Sequence, residues 1–293
     1  MFEKYLPLYN NAYQVYTDEF FSTTMLGKIL GIKSKPTLFD FFMNRGYLSY
    51  DNKKYHLTSE GMRFGKYIDA EDGNKFVAWN LGLVAPQLFP LQHRATEGIT
   101  KFNALFHITH LNNLESILQN GLYCHSAMQN YVDISDAQVN SKRTKIDEAF
   151  KKPLHHYVPF YFNCRNAMLY RVQHEYANRV VVLELDKGIC NLPYNLYFDR
   201  NAASDYSKCK VDKSAVNHFP WNDIFSNSWH INGEKNLHLL QSMQAECLIY
   251  KHVPMEFITK IHCPNEYIAR HVDALTRFLG FKVDTYLSPE YFF

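Results

Sequence analysis

Leu105-Phe106-His107-Ile108-Thr109-His110-Leu111-Asn112-Asn113-Leu114, running on through Ile117-Leu118-Gln119-Asn120-Gly121-Leu122, sets the reading of the whole chain. Ala104 to Ile108 reads as a strand. A helix is expected after it, capped by Asn112 with Glu115 three residues on, and ended by Gly121. A second stretch, His155-His156-Tyr157-Val158-Pro159-Phe160-Tyr161-Phe162-Asn163-Cys164-Arg165-Asn166-Ala167-Met168-Leu169-Tyr170, holds another strand, Val158 to Phe162, with its proline near the start. Working outward, Val180 to Leu185, Ala245 to Tyr250, Phe257 to Cys263 and Phe281 to Tyr286 read as strands, and Glu266 to Phe278 as a helix. The expected class is α+β. No Gly-rich dinucleotide loop follows a strand, which excludes a conventional Rossmann site.

The upstream residues have a different texture. Pro86 and Pro90 followed by Gln92-His93-Arg94 suggest a linker between Ala85 and Asn103, dividing the chain into residues 1–95 and 96–293. In the first part, Thr24 to Gly31 and Thr37 to Gly46 read as short helices. Tyr47-Leu48-Ser49-Tyr50 and Tyr55-His56-Leu57-Thr58 then read as a hairpin around Asp51-Asn52-Lys53-Lys54. Helix, helix, hairpin is the order of a winged helix. Through Leu26-Gly27-Lys28, Leu30-Gly31-Ile32 and Tyr55-His56-Leu57-Thr58-Ser59-Glu60-Gly61, the segment resembles the small helix-turn-helix domain of phage antirepressors. Lys28, Lys33, Lys35, Arg45, Lys53, Lys54, Arg63 and Lys66 outnumber Asp40, Asp51 and Glu60, which suits nucleic acid. Protein contact or rigid support is the alternative.

Composition narrows the class without choosing a function. Hydrophobic residues make up 46% and charged residues 20%, enough apolar material for a core. The net charge of +2 excludes neither a nucleic-acid nor a protein partner. None of the six cysteines forms a C-x-x-C pair, so a zinc site is not expected, and buried free thiols are. Met1-Phe2-Glu3-Lys4-Tyr5 lacks the pattern of a leader, and no apolar run approaches the roughly 20 residues of a bilayer span. A cytoplasmic protein with no membrane partner is expected.

Few residues stand out for chemistry when read alone. His107 and His110 are three apart, but in a strand and turn rather than a helix, so no metal is expected. Glu246 sits in the apolar run Gln244-Ala245-Glu246-Cys247-Leu248-Ile249-Tyr250. A glutamate there must point to solvent from an edge strand or be kept inside for a purpose. Arg143 lies in the basic turn Asn140-Ser141-Lys142-Arg143-Thr144-Lys145 and could be a solvated side chain. Trp221 and Trp229 fall in a polar segment, where they could stack on bases or simply pack.

Taken together these stretches resemble the DarT family, whose members transfer ADP-ribose from NAD to a base of single-stranded DNA. The resemblance includes Tyr131-Val132-Asp133-Ile134, Phe198-Asp199-Arg200 and the ending Glu290-Tyr291-Phe292-Phe293, and spans Leu105 to Phe293. It implies an ADP-ribosyltransferase fold, a mixed split sheet with helices, behind the small winged-helix-like domain. It implies that Glu246 is the catalytic carboxylate, stabilising positive charge on the ribose and helping deprotonate the attacking base. Arg143 becomes its active-site arginine. His107, Thr109, Asn113, Tyr161, Met168 and Tyr170 become the NAD set, the last two as the nicotinamide wall. Trp221, Trp229 and Arg165 become the substrate set. NAD is the co-substrate and no metal is needed. The family also implies a toxin of a toxin–antitoxin or phage-defence system, countered by a macrodomain-type or other antitoxin. The chain departs from the family at Asp199-Arg200-Asn201, where many members carry histidine, and between Ala202 and Leu240. Single-stranded RNA or a protein therefore remains an alternative target, and a DNA-binding regulator with a degenerate transferase an alternative function.

Overall fold

The computed structural model describes residues 2–128 and 130–293, apart from the side chains of Phe2 and Glu3. Met1, where the stretch read for a leader begins, lies outside the described residues. The chain divides into two units, the first made of Met1–Ile99 with Cys190–Asn195 and Val211–Ser214, the second of Thr100–Ile189, Leu196–Lys210 and Ala215–Phe293.

In the first unit, helix α1 (Leu6–Gln14) leads to strand β1 (Phe20–Ser22) and helix α2 (Thr23–Leu30). Ser22, rather than a threonine, caps α2 by accepting from the Met25 amide, and Gly31 ends it in the left-handed conformation at φ +64°. Helix α3 is only Phe39–Asn44. The hairpin of β2 (Leu48–Asp51) and β3 (Lys54–Leu57) follows, turning through Asn52 and Lys53 at positive φ. Strands β4 (Gly65–Asp69) and β5 (Lys75–Asn80) complete a sheet in the order β1-β5-β4. Trp79 stacks on Phe42 with ring centroids 3.8 Å apart, and its indole N–H donates to Thr23 Oγ1.

The stretch expected as a linker is instead helix α4 (Leu81–Glu97), with Pro86 and Pro90 inside it. Proline removes a backbone donor and strains the preceding turn. Here Leu81, Val84, Ala85, Leu88, Phe89, Gln92 and Thr96 form a buried stripe of helical period, and that burial outweighs the two lost bonds. Within the same unit the Lys213 ammonium is buried and donates to Thr96 Oγ1 and Asn191 Oδ1, while Tyr13 bridges Gln92 and the Asn191 carbonyl.

The second unit is built on a seven-stranded sheet. Its strands are β6 (Ala104–His110), β8 (Tyr157–Tyr161), β9 (Val180–Asp186), β10 (Leu196–Phe198), β13 (Glu246–Tyr250), β15 (Ile258–Cys263) and β16 (Asp284–Leu287). The short pieces β7 (Leu122–Tyr123), β11 (His230–Ile231), β12 (Glu234–Lys235) and β14 (His252–Val253) pair off separately. The order is β10-β13-β8-β6-β9-β15-β16, antiparallel except for β15 with β16. Strand β6 runs along β9 for its full length but meets β8 only at Phe106 and Tyr161. The sheet is therefore split between β6 and β8. Pro159, which has no N–H to donate, stands on β8 beside that split.

Helices α5 (Leu114–Asn120), α6 (Ala137–Lys142), α7 (Ala167–Glu175), α8 (Trp221–Ile224), α9 (Leu237–Ser242) and α10 (Glu266–Leu279) complete the unit. The capping box expected at Asn112 does not form: a short turn intervenes, His110 caps it through the Asn112 amide, and Asn112 Oδ1 accepts from Arg179. Among the described residues no helix is long and apolar enough to cross a membrane, and no group of three His, Cys, Asp or Glu could hold a metal ion.

Candidate active site

Glu246 opens strand β13, an interior strand between β10 and β8, opposite Phe198 on one side and Tyr161 on the other. Both neighbouring strands cover it, so the edge-strand alternative does not apply, and the residue is fully buried. A buried carboxylate needs partners for both oxygens. Oε1 accepts from the Ala202 amide, just past Asp199-Arg200-Asn201, and Oε2 accepts from Arg143 Nη2 at 2.6 Å.

Arg143 follows α6, whose first turn is capped by Asp136. Its side chain is 11% exposed, far from the solvated alternative. Burial by itself lowers the guanidinium pKa, but the facing Glu246 carboxylate and the Tyr161 oxygen together more than reverse this, so its pKa is raised. The Tyr161 hydroxyl is also pushed up, first by burial and then by Glu246, and stays protonated.

Arg143 lines two cavities. The first, ≈ 140 Å³, lies along the split and carries His107, Thr109, Asn113 and Met168 among its walls. His107 is half-buried, its Nδ1 2.9 Å from the Pro159 carbonyl, and burial lowers its pKa, which favours neutral imidazole. Asn113 donates to Thr109 Oγ1 and to the Val132 carbonyl and accepts from the Val132 amide, so it ties the segment around Tyr131 to β6. The second cavity, ≈ 260 Å³, is walled by Tyr161, Met168, Arg171, Asn201 and Gln244 together with Arg143. Glu246 lines neither cavity, and Arg143 covers it.

The structure brings His107, Thr109, Asn113, Met168, Tyr161, Arg143 and Glu246 into one place. Four residues lie elsewhere or are engaged. Tyr170 lines neither cavity; it is on the outer face of α7, edge-on to Trp229 and Phe293. Trp221 is 8% exposed, with its indole N–H on the Val216 carbonyl and its ring stacked between Phe219 and Phe225, so it has no face to offer a base. Arg165 donates to the carbonyls of Glu290 and Phe292 and lies over the Phe293 ring, which commits it to holding the chain's last residues. Trp229 is half-buried, in contact with Tyr170 and Phe293.

The far wall is made by residues that nothing in the sequence singles out. His125 and His155 stack with centroids 4.7 Å apart, and the Asn140 amide bridges their two Nε2 atoms. The His155 amide also donates to the Arg143 carbonyl. These three residues come from separate segments, and no spacing in the sequence unites them.

The match to known proteins falls on this unit. The family model described as "ssDNA thymidine ADP-ribosyltransferase, DarT" matches residues 106–293. The chain belongs to the DarT family.

The DarT match includes Glu246, Arg143 and every wall residue named above. A curated relative from Thermus sp. (strain 2.9), named "DNA ADP-ribosyl transferase", is 28% identical over 181 residues, covering 57% of this chain and 84% of that protein. A Thermosipho africanus protein named as a fusion of DNA ADP-ribosyl transferase and DNA ADP-ribosyl glycohydrolase is 27% identical over 183 residues, 59% of this chain and 45% of its own length. In fold, the chain is similar to the Thermus sp. 2.9 DarT solved with ADP-ribosylated ssDNA, at a TM-score of 0.58, 21% identity and coverage of 65% of this chain and 96% of that one. The same DarT solved with NAD+ gives a TM-score of 0.56 at 21% identity, covering 65% and 98%. At that identity the likeness shows the fold.

Proposed function

We propose that this DarT transfers ADP-ribose from NAD to a base of single-stranded DNA, with Glu246 as the catalytic residue and Arg143 as its partner. The observation that carries the proposal is the buried Arg143–Glu246 pair on an interior strand, with Arg143 shared by two cavities. Two adjoining cavities that share Ser135, Asn140, Arg143, Pro159 and Met168 suit a reaction that joins two substrates.

The first cavity fits NAD by its chemistry. It offers apolar walls at Ile108, Ile117 and Leu122, aromatic rings at Tyr131 and His125, and polar groups at Thr109 and Arg143. His107, Thr109, Asn113 and Met168 would hold the cofactor, Tyr161 joining them from the second cavity. NAD supplies the ADP-ribosyl group and its leaving nicotinamide. Arg143, a fixed cation, is suited to a pyrophosphate. An anion drawing Arg143 away would uncover the Glu246 carboxylate, which then stabilises positive charge at the ribose and accepts the proton of the attacking base. The second cavity, with amides at Asn201 and Gln244, would receive that base. Trp229, half-buried beside the exposed Tyr170, is a surface for a flanking base. For Tyr170 the placement supports this outer surface better than the nicotinamide wall.

The single-strand preference follows from presentation, since extracting a stacked base costs a few kcal/mol that a single strand largely avoids. The degenerate-regulator alternative is disfavoured because both oxygens of a buried glutamate are still served. We further propose a toxin role in the cytoplasm, with an ADP-ribosyl hydrolase antitoxin as partner, on the model of the fused Thermosipho relative. In the amino-terminal unit, α2, α3 and the β2–β3 hairpin support a winged-helix-like targeting module, ending functionally near residue 95. The test is incubation of the purified chain with labelled NAD and matched single- and double-stranded DNA and RNA. Label on single-stranded DNA, absent with Glu246→Gln, is the expected result; label on RNA or protein alone would overturn the DNA reading.

A further inference from the structure

We infer that the amino-terminal unit carries a second single-stranded nucleic-acid site of its own, an aromatic ladder on the β2–β3 hairpin flanked by lysines. Lys28 to Lys66 holds eight basic against three acidic side chains, so this stretch alone is more positive than the whole chain, whose net charge is +2. The charge is interleaved with rings. Lys35 lies over the Phe39 ring, Arg45 over Phe41, Arg63 over Phe64 and Lys66 over Phe20.

One part of this surface is continuous. Tyr55 of β3 packs against Phe39 at 4.3 Å and against its cross-strand partner Tyr50 at 4.8 Å. The row therefore runs Lys35, Phe39, Tyr55, Tyr50. Tyr50 is 53% exposed, which leaves ring area open to stacking. Lys53 and Lys54 are exposed at the tight turn three and four residues beyond it. Every base has a π-face and every nucleotide a phosphate, so stacked rings bordered by lysines bind a single strand without needing its sequence.

A duplex fits this surface less well, because it would offer its bases only at groove edges. The transferase reading gives the site a use, because a second foothold on the same strand raises the effective concentration of target bases. Its evidence does not depend on that reading, and binding can be read with no NAD present.

The test uses the full chain carrying Tyr50→Ala, Lys53→Ala and Lys54→Ala, against a fluorescently labelled poly-dT strand and a matched duplex, followed by anisotropy. Affinity for the single strand should fall at least about tenfold, with a shallower dependence on salt and an unchanged melting temperature. With transfer as the readout, KM for a long strand should rise while kcat holds. Unchanged single-strand affinity in the folded triple variant overturns the inference, and so does an equal loss on the duplex, which would mark a groove-binding wing. If the wild type binds poly-dT but transfers nothing, the transferase reading fails and this one stands.

Discussion

Arg143 Nη2 lies 2.6 Å from Glu246 Oε2, and the carboxylate is entirely screened from solvent behind it. Each charge is the other's remedy for burial. Removing one partner of such a pair costs about 3–5 kcal/mol, because the survivor is left charged and unpaired.

Two substitutions at Glu246 should therefore separate. Glu246→Gln keeps the shape but serves only one of its two donors, Arg143 or the Ala202 amide, and should lower transfer at least about a hundredfold with a smaller fall in melting temperature than Glu246→Ala. Glu246→Ala should lose transfer and also destabilise the fold by about 3–5 kcal/mol. Calorimetry with a nicotinamide-release assay separates them; substantial transfer by a folded Glu246→Gln protein would remove the residue from its role.

Asn113 pairs with both backbone groups of Val132, donating to its carbonyl and accepting from its amide. Asn113→Ala should loosen the cavity wall around Tyr131 and raise KM for NAD several-fold, with a smaller effect on kcat. An unchanged KM would show that this wall takes no part in binding.

The tryptophans should behave oppositely. Trp221→Ala empties an aromatic cluster and should cost about 3–5 kcal/mol of stability while leaving base preference alone. Trp229→Ala should leave the melting temperature almost unchanged and weaken binding of single-stranded DNA. Thermal melts paired with oligonucleotide titrations decide it, and a stability loss confined to Trp229 would reverse the assignment.

Acid should destabilise the chain through histidines held neutral. Burial lowers the pKa values of His107, His110 and His155. A depressed histidine pKa means the unfolded chain binds the proton more readily. The stabilisation is complete above the unfolded value of about 6.5 and is lost as pH falls below it. His107→Gln should flatten that acid limb in urea titrations run between neutral pH and about pH 5; an unaltered limb would assign it to other groups.

Truncation before Thr96 should not yield a clean transferase. Lys213 and Asn191 come from the later sequence but complete the first unit, where Gln92 and Tyr13 engage the Asn191 carbonyl. A chain lacking residues 1–95 is expected to be poorly soluble or to melt well below the full chain, and a truncation as stable as the full chain would show that these bonds contribute little.

How much of this could be read in advance differs by feature. Six of the seven strands of the second unit's large sheet were legible because they are apolar runs set off by turns, while β10 (Leu196–Phe198) is too short to show; Glu246 was legible only through the resemblance, since a lone carboxylate in such a run could also sit on an edge strand. The α4 helix was not, since Pro86 and Pro90 are locally unfavourable and only the buried stripe from Leu81 to Thr96 offsets them. Trp221 and Trp229 look alike in a polar segment, and only their neighbours distinguish a packed ring from an available one.

By itself the sequence determined the class of the fold, six strands of the large sheet, the family of its second unit and, through that family, the identity of its buried acid. Those follow from local period, residue type and motif. The tertiary structure alone decided that Arg143 meets Glu246 across 103 residues, that Asn140 joins His125 to His155, and that Cys190–Asn195 and Val211–Ser214 complete the first unit. Such pairings depend on which segments the sheet brings side by side. Local sequence carries no record of that, because the energy that selects the arrangement is spread over the whole core.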